Sequence, residues 1–274
     1  MEKLQAAIEK ARAQRQSTTP VQRTTVSRKS LPEASESLWS DLPPIEITPQ
    51  LVKKSRLVSY GGGMDAGPYD MLRTRILQQA NDNGWKRVAL VSPHSACGKS
   101  TTAANLVFSF SRQSDLRTMI LDLDLRRQGL AKILGQRVKH TMGDVLRGQI
   151  PFANHGCRYG DNVALGMNSS PVEHASEILQ SHLAREVLDQ IEADYSPDIM
   201  LFDMPPLMGA DDNFGFLKNV DCALLVAEAE RTTTDQVDIA ERQLAELTNV
   251  MGIVLNKSHY TDGAYGYGYG YGYS

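Results

Sequence analysis

Residues 87–111, RVALVSPHSACGKSTTAANLVFSFS, are the stretch from which the fold can be predicted. The apolar run over 87–91 has the length and composition of a buried strand, and the pattern after Gly98 predicts a helix to about Ser111. The turn between them is rich in small residues and ends in GKST at 98–101. Such a strand-to-helix turn directs backbone N–H groups and the positive end of the helix toward an anion. The stretch therefore predicts a site for nucleotide phosphates.

The turn matches the phosphate-binding pattern G-x-x-x-x-G-K-[ST] in part, because Pro93 occupies the first glycine position. Lys99 would add a positive charge near the phosphates, and Ser100 would place its hydroxyl on a magnesium ion. The alternative is an ordinary capped helix with an exposed lysine, and the position between a strand and a helix favours phosphate binding. The nucleotide-binding residues expected in this turn are Ala96, Cys97, Gly98, Lys99, Ser100 and Thr101.

Outward from this stretch, short apolar runs alternate with helical patterns as far as residue 256. Apolar strands separated by helices predict an α/β fold of the P-loop NTPase type, with a mainly parallel sheet flanked by helices on both faces. Ligands of such sheets bind beyond the carboxyl ends of the strands, so functional residues are expected after each apolar run. Further strands are predicted at 118–122, 163–167, 199–203, 222–227 and 252–256, and helices around 176–193 and 234–247.

Two acidic residues and an arginine follow the second predicted strand. Asp122 and Asp124 alternate, which would send both carboxylates to the same side, and carboxylate oxygens suit Mg²⁺. One carboxylate would hold the ion, directly or through water, while the other accepts a proton from an attacking hydroxyl. The alternative is an acidic loop neutralised by Arg126 and Arg127. Beside a phosphate-binding turn, the functional interpretation is favoured.

A third block, at 199–206, ends in an aspartate and two prolines. Asp203 after four apolar residues has the Walker B form, whose carboxylate supports the magnesium ion of a nucleotide. Pro205 and Pro206 exclude a helix directly after the strand. Asp211 and Asp212 are predicted to cap the following helix rather than to act in chemistry.

The overall composition excludes several classes of protein. The 29 Lys and Arg oppose 32 Asp and Glu, which gives a net charge of -3, and this is not the composition of a chain that coats nucleic acid. We expect no nucleic-acid partner. Three cysteines lie far apart and offer neither a disulfide framework nor a zinc site, which favours a reducing cytoplasm. Without a run of about 18 apolar residues, the chain is not expected to cross a membrane.

The chain divides into four predicted segments. Residues 1–15 form a short amphipathic helix, interpreted either as a docking helix or as a frayed terminus. Residues 16–60, basic and rich in Ser, Thr and Pro, are predicted to be a flexible linker. Residues 61–258 form the nucleotide-binding domain. Residues 259–274 form a tail of alternating Tyr and Gly, which cannot build a core and displays its phenols to solvent.

The three blocks, in this order and with these spacings, resemble the bacterial tyrosine kinases (BY-kinases), the cytoplasmic tyrosine autokinases of capsule and exopolysaccharide biosynthesis. The resemblance covers about 66–258 and extends to the stretch at 142–148, MGDVLRG, and to Asn256, which lies where relatives hold the adenine. Relatives commonly have glycine where this chain has Ala96. The resemblance implies ATP and Mg²⁺ as cofactors. The implied catalytic residues are Lys99, Asp122, Asp124 and Asp203, the implied metal ligands are Ser100, Asp122 and Asp203, and Arg126 and Asn256 join the nucleotide-binding residues.

The resemblance also implies an activity, which is ATP-dependent, non-specific protein-tyrosine kinase activity that regulates polymer export. The phosphoacceptors would be Tyr265, Tyr267, Tyr269, Tyr271 and Tyr273. Implied partners are a membrane activator of the chain-length-control (polysaccharide co-polymerase) type, a second copy that is phosphorylated in trans, and a tyrosine phosphatase. The chain would then act at the inner face of the membrane. The alternatives are a ParA/MinD-type ATPase switch, a nucleotide-binding regulator with weak catalysis, and a tail that associates through aromatic contacts.

Overall fold

The computed structural model describes residues 33–209 and 211–258. Within them, seven strands form one sheet in the order β3-β4-β2-β5-β1-β6-β7. All neighbouring strands pair in parallel except β3 and β4, which are antiparallel. The strands are β1 (Arg87–Val91), β2 (Thr118–Asp122), β3 (Cys157–Tyr159), β4 (Val163–Gly166), β5 (Ile199–Asp203), β6 (Cys222–Glu228) and β7 (Asn249–Asn256). The predicted α/β fold with a mainly parallel sheet is confirmed.

Helices cover the sheet on both faces, as the continuous apolar strands require. In β1, Val88 and Leu90 pack into the hydrophobic cluster on one face, and Ala89 and Val91 pack into the cluster on the other. The helices are α1 (Glu33–Asp41), α2 (Pro49–Lys54), α3 (Gly67–Asn83), α4 (Lys99–Ser111), α5 (Gly129–Ile133), α6 (Met142–Leu146), α7 (Phe152–His155), α8 (Ala175–Gln180), α9 (His182–Tyr195), α10 (Asp212–Phe216) and α11 (Thr234–Ala245). The helices α3, α4 and α5 share one face, and α1, α6, α8, α9, α10 and α11 share the other.

The helix predicted around 176–193 is two helices. Ser181 has extended backbone dihedral angles, φ -69° and ψ 148°, so it ends α8 and caps α9. Its hydroxyl accepts a hydrogen bond from the backbone N–H of Ala184 at 3.1 Å. The apolar spacing continues across this break, and the periodicity alone therefore suggests one helix.

The structure differs from the predicted flexible linker over residues 33–57. Trp39, Leu42 and Leu57 are at most 2% exposed. The Trp39 indole N–H donates to the backbone oxygen of Tyr195 at 2.8 Å, and the Arg117 guanidinium lies 5.2 Å from the centre of the indole ring. Three large apolar residues, spaced without a period, anchor this segment, and a search for periodicity misses them.

The same N-terminal segment covers one edge of the sheet. The Arg158 N–H in β3 donates to the Pro43 oxygen at 2.9 Å, and the Ile45 N–H donates to the Arg158 oxygen at 2.8 Å. Pro44 forms an isolated parallel bridge with Arg158. The edge strand β3 is therefore paired on both sides over this short stretch.

Several predictions concern residues outside the described ranges. The predicted helix over 1–15 and the tail over 259–274 lie there, as do all five predicted phosphoacceptor tyrosines. The domain boundaries at 61 and 258 remain predictions. Of the helices that the structure describes, none combines the length and apolar character needed to span a membrane.

Candidate nucleotide site

The phosphate loop connects β1 to α4 at the carboxyl edge of the sheet. It contains two residues in the left-handed region, Ala96 with φ 69° and Gly98 with φ 91°. A Cβ atom on Gly98 would lie 2.2 Å from the Asn256 side-chain nitrogen, so any other residue here would displace Asn256 as well as adopt an unfavourable backbone conformation. Ala96 adopts a conformation that favours glycine, which agrees with the residue expected there from the resemblance.

The loop is hydrogen-bonded to the end of β7. Asn256 Nδ2 donates to the Cys97 carbonyl at 2.8 Å, and Lys257 Nζ donates to the Ala96 carbonyl at 2.7 Å. Two neighbouring side chains thus hold two consecutive carbonyl groups of the loop. Asn256 contacts the loop backbone here, and its predicted contact with adenine stays a prediction.

The four predicted catalytic residues lie close together next to the phosphate loop. Lys99 Nζ lies 2.7 Å from Asp203 Oδ1, and the lysine is 6% exposed while the aspartate is fully buried. Strands β2 and β5 are adjacent, with Asp122 opposite Asp203 in the register. The backbone N–H of Asp124 donates to the Asp203 carbonyl at 2.9 Å. The structure therefore brings Lys99, Asp122, Asp124 and Asp203 together.

One lysine faces three carboxyl groups in this buried cluster. Burial raises the pKa of Asp122 well above its usual range, and the charge of Asp203 adds to the shift. Burial also raises the pKa of Asp124. Asp124 Oδ1 and Asp203 Oδ2 are buried and accept no hydrogen bond from the described residues. Unpartnered carboxylate oxygens are the ligands that Mg²⁺ prefers, so the donor set fits that ion.

The Ser100 hydroxyl and one carboxylate oxygen of Asp203 both lie near Gly129. A Cβ atom on Gly129 would be 2.8 Å from Ser100 Oγ and 3.9 Å from Asp203 Oδ2, so both oxygens border the backbone of Gly129. That Ser100 and Asp203 are metal ligands stays a prediction. Asp122 differs, because its two oxygens accept backbone N–H groups of Asp124 and Leu130, each at 3.2 Å.

Arg126 is paired with Asp212 in this structure. Its Nε and Nη2 lie 2.7 and 3.0 Å from the two Asp212 oxygens, and Nη2 lies 3.2 Å from the Ser176 hydroxyl. Burial opposes ionisation of Asp212, yet the hydrogen bonds from Arg126 and Ser176 lower its pKa. Asp211 occupies the N-cap position of α10 without a capping side-chain bond, and its Oδ1 lies 2.6 Å from the Ser176 hydroxyl instead. The predicted capping by these two side chains is therefore wrong.

A cavity of about 520 Å³ lies beside the phosphate loop. Gly98, Thr101, Asn256 and Tyr69 are among the residues that line it. Four basic residues also line the cavity: Lys54, Arg56, Lys132 and Lys257. The cavity is of the size that small ligands occupy, and its charge suits an anionic ligand.

Sequence reasoning missed the contributions of Lys54 and Arg56, because both lie in the segment predicted to be a linker. The basic stretch KKSR at 53–56 was the available signal. It also missed the ion pair between Arg126 and Asp212, which joins residues 86 positions apart in the sequence. No local pattern predicts such a pair.

The fold and the site define the class of this protein. A parallel sheet with a strand–loop–helix phosphate site, a buried lysine–aspartate pair and an acidic residue at two adjacent strand ends is the architecture of a P-loop NTPase. The profile of the ParA family, described as NUBPL iron-transfer P-loop NTPase, matches residues 85–267, and the chain belongs to this family.

Similar proteins include several named tyrosine kinases, which confirms the resemblance found in the sequence. The chain is 29% identical over 164 residues to the putative tyrosine-protein kinase AmsA of Erwinia amylovora, covering 58% of this chain and 22% of AmsA. It is 24% identical over 201 residues to the tyrosine-protein kinase CpsD of Streptococcus pneumoniae, covering 72% of this chain and 86% of CpsD. The chain thus spans about a quarter of the length of the first matched relatives, AmsA at 22% and the putative tyrosine-protein kinase EpsB at 26%.

Solved structures agree on the fold. The kinase domain of Escherichia coli tyrosine kinase ETK superposes with a TM-score of 0.68 at 21% identity, covering 81% of this chain and 86% of that domain. The cobyrinic acid a,c-diamide synthase of Mycobacterium smegmatis, solved with a bound ATP analogue and magnesium, gives a TM-score of 0.51 at 17% identity, covering 62% and 72%.

Proposed function

We propose that this chain is a Mg·ATP-dependent protein-tyrosine autokinase whose acceptors are its own C-terminal tyrosines. The observation that carries the proposal is the buried cluster behind the phosphate loop, where one lysine faces three aspartates and two carboxylate oxygens lack partners. If all four groups were charged, their net charge would be -2, which one divalent cation balances. The named relatives support the choice of phosphoryl transfer to tyrosine.

The phosphate loop would bind the nucleotide, with residues 96–101 and Lys99 around its phosphates. Ser100 and Asp203 would hold Mg²⁺, and Asp122 would act on the ion through water, because its own oxygens are engaged by backbone donors. The ion would neutralise charge on the transferring phosphoryl group. Arg126 would have to release Asp212, with which it is paired, to contact the nucleotide. Asn256 and the adjoining basic cavity would accept the remainder of the nucleotide.

Asp124 is the better candidate for the proton acceptor. Its Oδ1 accepts no hydrogen bond from the described residues, and a pKa raised by burial makes the carboxylate a stronger base. The phenol oxygen would bond to the γ-phosphorus while the bond from that phosphorus to the ADP oxygen breaks, and the phenol proton would pass to Asp124. Positioning and charge neutralisation would supply most of the rate.

The acceptors would be Tyr265, Tyr267, Tyr269, Tyr271 and Tyr273 of a neighbouring copy. Each phosphate adds roughly -1.5 to -2 charges at neutral pH, so a modified tail would repel itself and other acidic surfaces. We further propose that a separate membrane protein of the chain-length-control type activates the chain at the inner face of the membrane, and that a tyrosine phosphatase resets the tail. The output would be control of capsule or exopolysaccharide polymerisation and export.

The test is incubation of the purified full chain with Mg·ATP, with and without the membrane activator, followed by detection of phosphotyrosine. Wild type should become phosphorylated, and Asp124→Asn should not. Asp82→Asn is the matched control, because Asp82 is exposed on α3. Phosphorylation by the Asp124→Asn variant would show that Asp124 is not the base. Wild type that stays unphosphorylated with the activator present would refute the proposed function.

A mixing experiment separates transfer in trans from transfer in cis. A full-length Lys99→Met chain supplies acceptors without phosphate-binding lysine, and a tail-truncated chain supplies the active site without acceptors. Phosphotyrosine on the Lys99→Met chain supports transfer in trans. If that chain stays unmodified while wild type modifies itself at high dilution, transfer occurs in cis.

The second candidate function is an ATPase switch of the ParA type, which the family match favours. Phosphate release from ATP without phosphotyrosine would support it. A nucleotide-binding regulator with weak catalysis would give neither product while still binding Mg·ATP. The same incubation, with labelled ATP, therefore distinguishes all three functions.

A further inference from the structure

The strand β7 lies at one side of the sheet, and within the described ranges no strand pairs with its outer edge. Its sequence, NVMGIVLN, contains neither a charged residue nor a proline. Charged residues and proline are the usual protection of an edge strand against pairing with further strands. At the other side of the sheet, the segment at 43–45 pairs with the edge strand β3. The outer edge of β7 is therefore the open edge of this sheet in the part of the chain that the structure describes.

The hydrogen bonds at the end of β7 show which backbone groups are open. The Ala229 N–H donates to the Asn256 carbonyl at 2.9 Å, so the backbone groups of Asn256 face β6. Successive residues of a strand direct their N–H and C=O groups to opposite sides. The pairing with β6 is regular from Ile253 to Asn256. The backbone groups of Ile253 and Leu255 therefore face away from the sheet.

The same two residues also expose apolar side chains. Val254 packs against the hydrophobic cluster on the face that carries α3, α4 and α5. Because side chains alternate along a strand, Ile253 and Leu255 lie on the opposite face. They are 50% and 63% exposed. Open backbone groups beside exposed apolar side chains form a surface that suits an added strand, which would bind through main-chain hydrogen bonds and side-chain contacts.

The tail contains a segment whose length and pattern fit this edge. Residues 265–273 read YGYGYGYGY, nine residues beside the eight of β7. In an extended conformation, the period of two would place all the tyrosine rings on one face and all the glycines on the other. Tyrosine is favoured in strands, and aromatic rings pair well with β-branched side chains of a neighbouring strand. Glycine weakens a strand that stands alone, so this segment needs an existing edge to pair with.

The connection from β7 to this segment is long enough for the chain to turn back. Residues 257–264 contain Asp262-Gly263, a pair that favours turns. Eight extended residues span about 26–29 Å, whereas neighbouring strands lie only about 4.7–4.9 Å apart. A short flexible connection gives an effective concentration in the millimolar range. The tail of the same chain is therefore favoured over the tail of another copy.

We propose that residues 265–273 pair with the outer edge of β7 as an antiparallel strand of the same chain, with their tyrosine rings on Ile253 and Leu255. The outward N–H and C=O groups of these two residues would bond to the tail backbone. A regulatory consequence rests on the proposed function: a tail bound to β7 withholds its acceptors from an active site. Each phosphate adds roughly -1.5 to -2 charges and would be costly to hold against an apolar surface, so phosphorylation would release the tail.

The test is amide hydrogen exchange of the full chain, resolved to single residues and made without ATP. The N–H groups of Ile253 and Leu255 should exchange on the order of tenfold more slowly in wild type than in Gly268→Pro/Tyr269→Pro, which is the effect of about two cross-strand aromatic pairs. Adjacent residues face opposite sides of a strand, so one of the two prolines removes a hydrogen bond to β7. Gly268→Ala/Tyr269→Phe keeps both N–H groups and is the matched control. The Val254 N–H faces β6 and should exchange equally in all three chains.

Equal exchange at Ile253 and Leu255 in wild type and in the proline variant would overturn the proposal. Protection that grows with protein concentration would also overturn it, because the bound tail would then belong to another copy. Leu255→Asp should release the tail and speed exchange at Ile253, whereas Ile239→Asp, at an exposed apolar position of α11, should not.

The exchange measurement uses neither ATP nor phosphorylation, so it is independent of the proposed kinase activity. Protection of β7 without phosphotyrosine formation would count against the proposed function alone. Phosphotyrosine formation without protection of β7 would count against the docked tail alone.

Discussion

Gly98→Ala tests whether the phosphate loop is held by the end of β7. The added Cβ would lie 2.2 Å from Asn256 Nδ2 and 3.5 Å from Asn256 Cγ, so the Asn256 side chain must withdraw by about 1 Å to reach van der Waals contact. Withdrawal breaks its 2.8 Å hydrogen bond to the Cys97 carbonyl. The backbone at φ 91° is also unfavourable for alanine.

The expected loss of stability is the sum of a backbone cost and a hydrogen-bond cost. The left-handed conformation costs an alanine about 1–2 kcal/mol. Loss of one hydrogen bond costs about 0.5–1.5 kcal/mol. We therefore expect Gly98→Ala to lower the free energy of unfolding by about 1.5–3.5 kcal/mol and to weaken nucleotide binding, since the loop loses its contact with Asn256.

Urea unfolding followed by tryptophan fluorescence measures the change, because Trp39 and Trp85 both lie in the described fold. Gly62→Ala is the matched control: Gly62 has φ 67° and nothing within 4 Å of its added Cβ, so only the backbone cost applies. Asn256→Ala removes the hydrogen bond alone. In the double variant with Gly98→Ala, the summed single costs should exceed the measured cost by about 0.5–1.5 kcal/mol.

Additive costs in that cycle, or a Gly98→Ala variant no less stable than Gly62→Ala, would contradict the reasoning. The first result would mean that Asn256 does not support the loop. The second would mean that the loop moves aside without energetic cost.

Three further outcomes are expected. Asp124→Asn should keep Mg·ATP binding, measured by calorimetry, while tyrosine phosphorylation is lost. Because burial raises the pKa of Asp124 in the folded chain, wild type should lose stability as the pH rises above 4, and the variant should therefore gain stability relative to it. Trp39→Ala should lower the free energy of unfolding by about 3–5 kcal/mol in urea titrations, since the indole is buried and hydrogen-bonded to Tyr195. Burial lowers the pKa of His155 to about 4, so below pH 6.5 the unfolded chain binds more protons and stability should fall by up to about 3 kcal/mol toward pH 4. His155→Gln should flatten that pH profile, and His182→Gln, at an exposed position, should not.

The carboxyl ends of three strands were predictable because their chemistry is local. The apolar runs that end at Asp203 and at Asp122 each combine a buried strand with a charged last residue. A charged residue at the carboxyl end of a buried strand is typical of a ligand-binding site. The phosphate loop carries its own signature at 98–101. Strand adjacency then brings Asp122 beside Asp203, as the parallel sheet requires.

Contacts between distant parts of the chain were not predictable. Arg126 has no local feature that directs it to Asp212 rather than to a phosphate. The antiparallel strand β3 has three residues, too few for a pattern.

The pairing of residues 43–45 with β3 bears on how shortened versions of this protein will behave. A chain begun at residue 61, the boundary read from composition, would lack this partner and would leave N–H and C=O groups of Arg158 open on one side. It would also uncover the hydrophobic surface that Trp39 and Leu42 occupy. Open strand edges recruit other strands, so such a fragment should self-associate or precipitate. A chain that begins at residue 33 keeps this edge of the sheet paired and this hydrophobic surface covered.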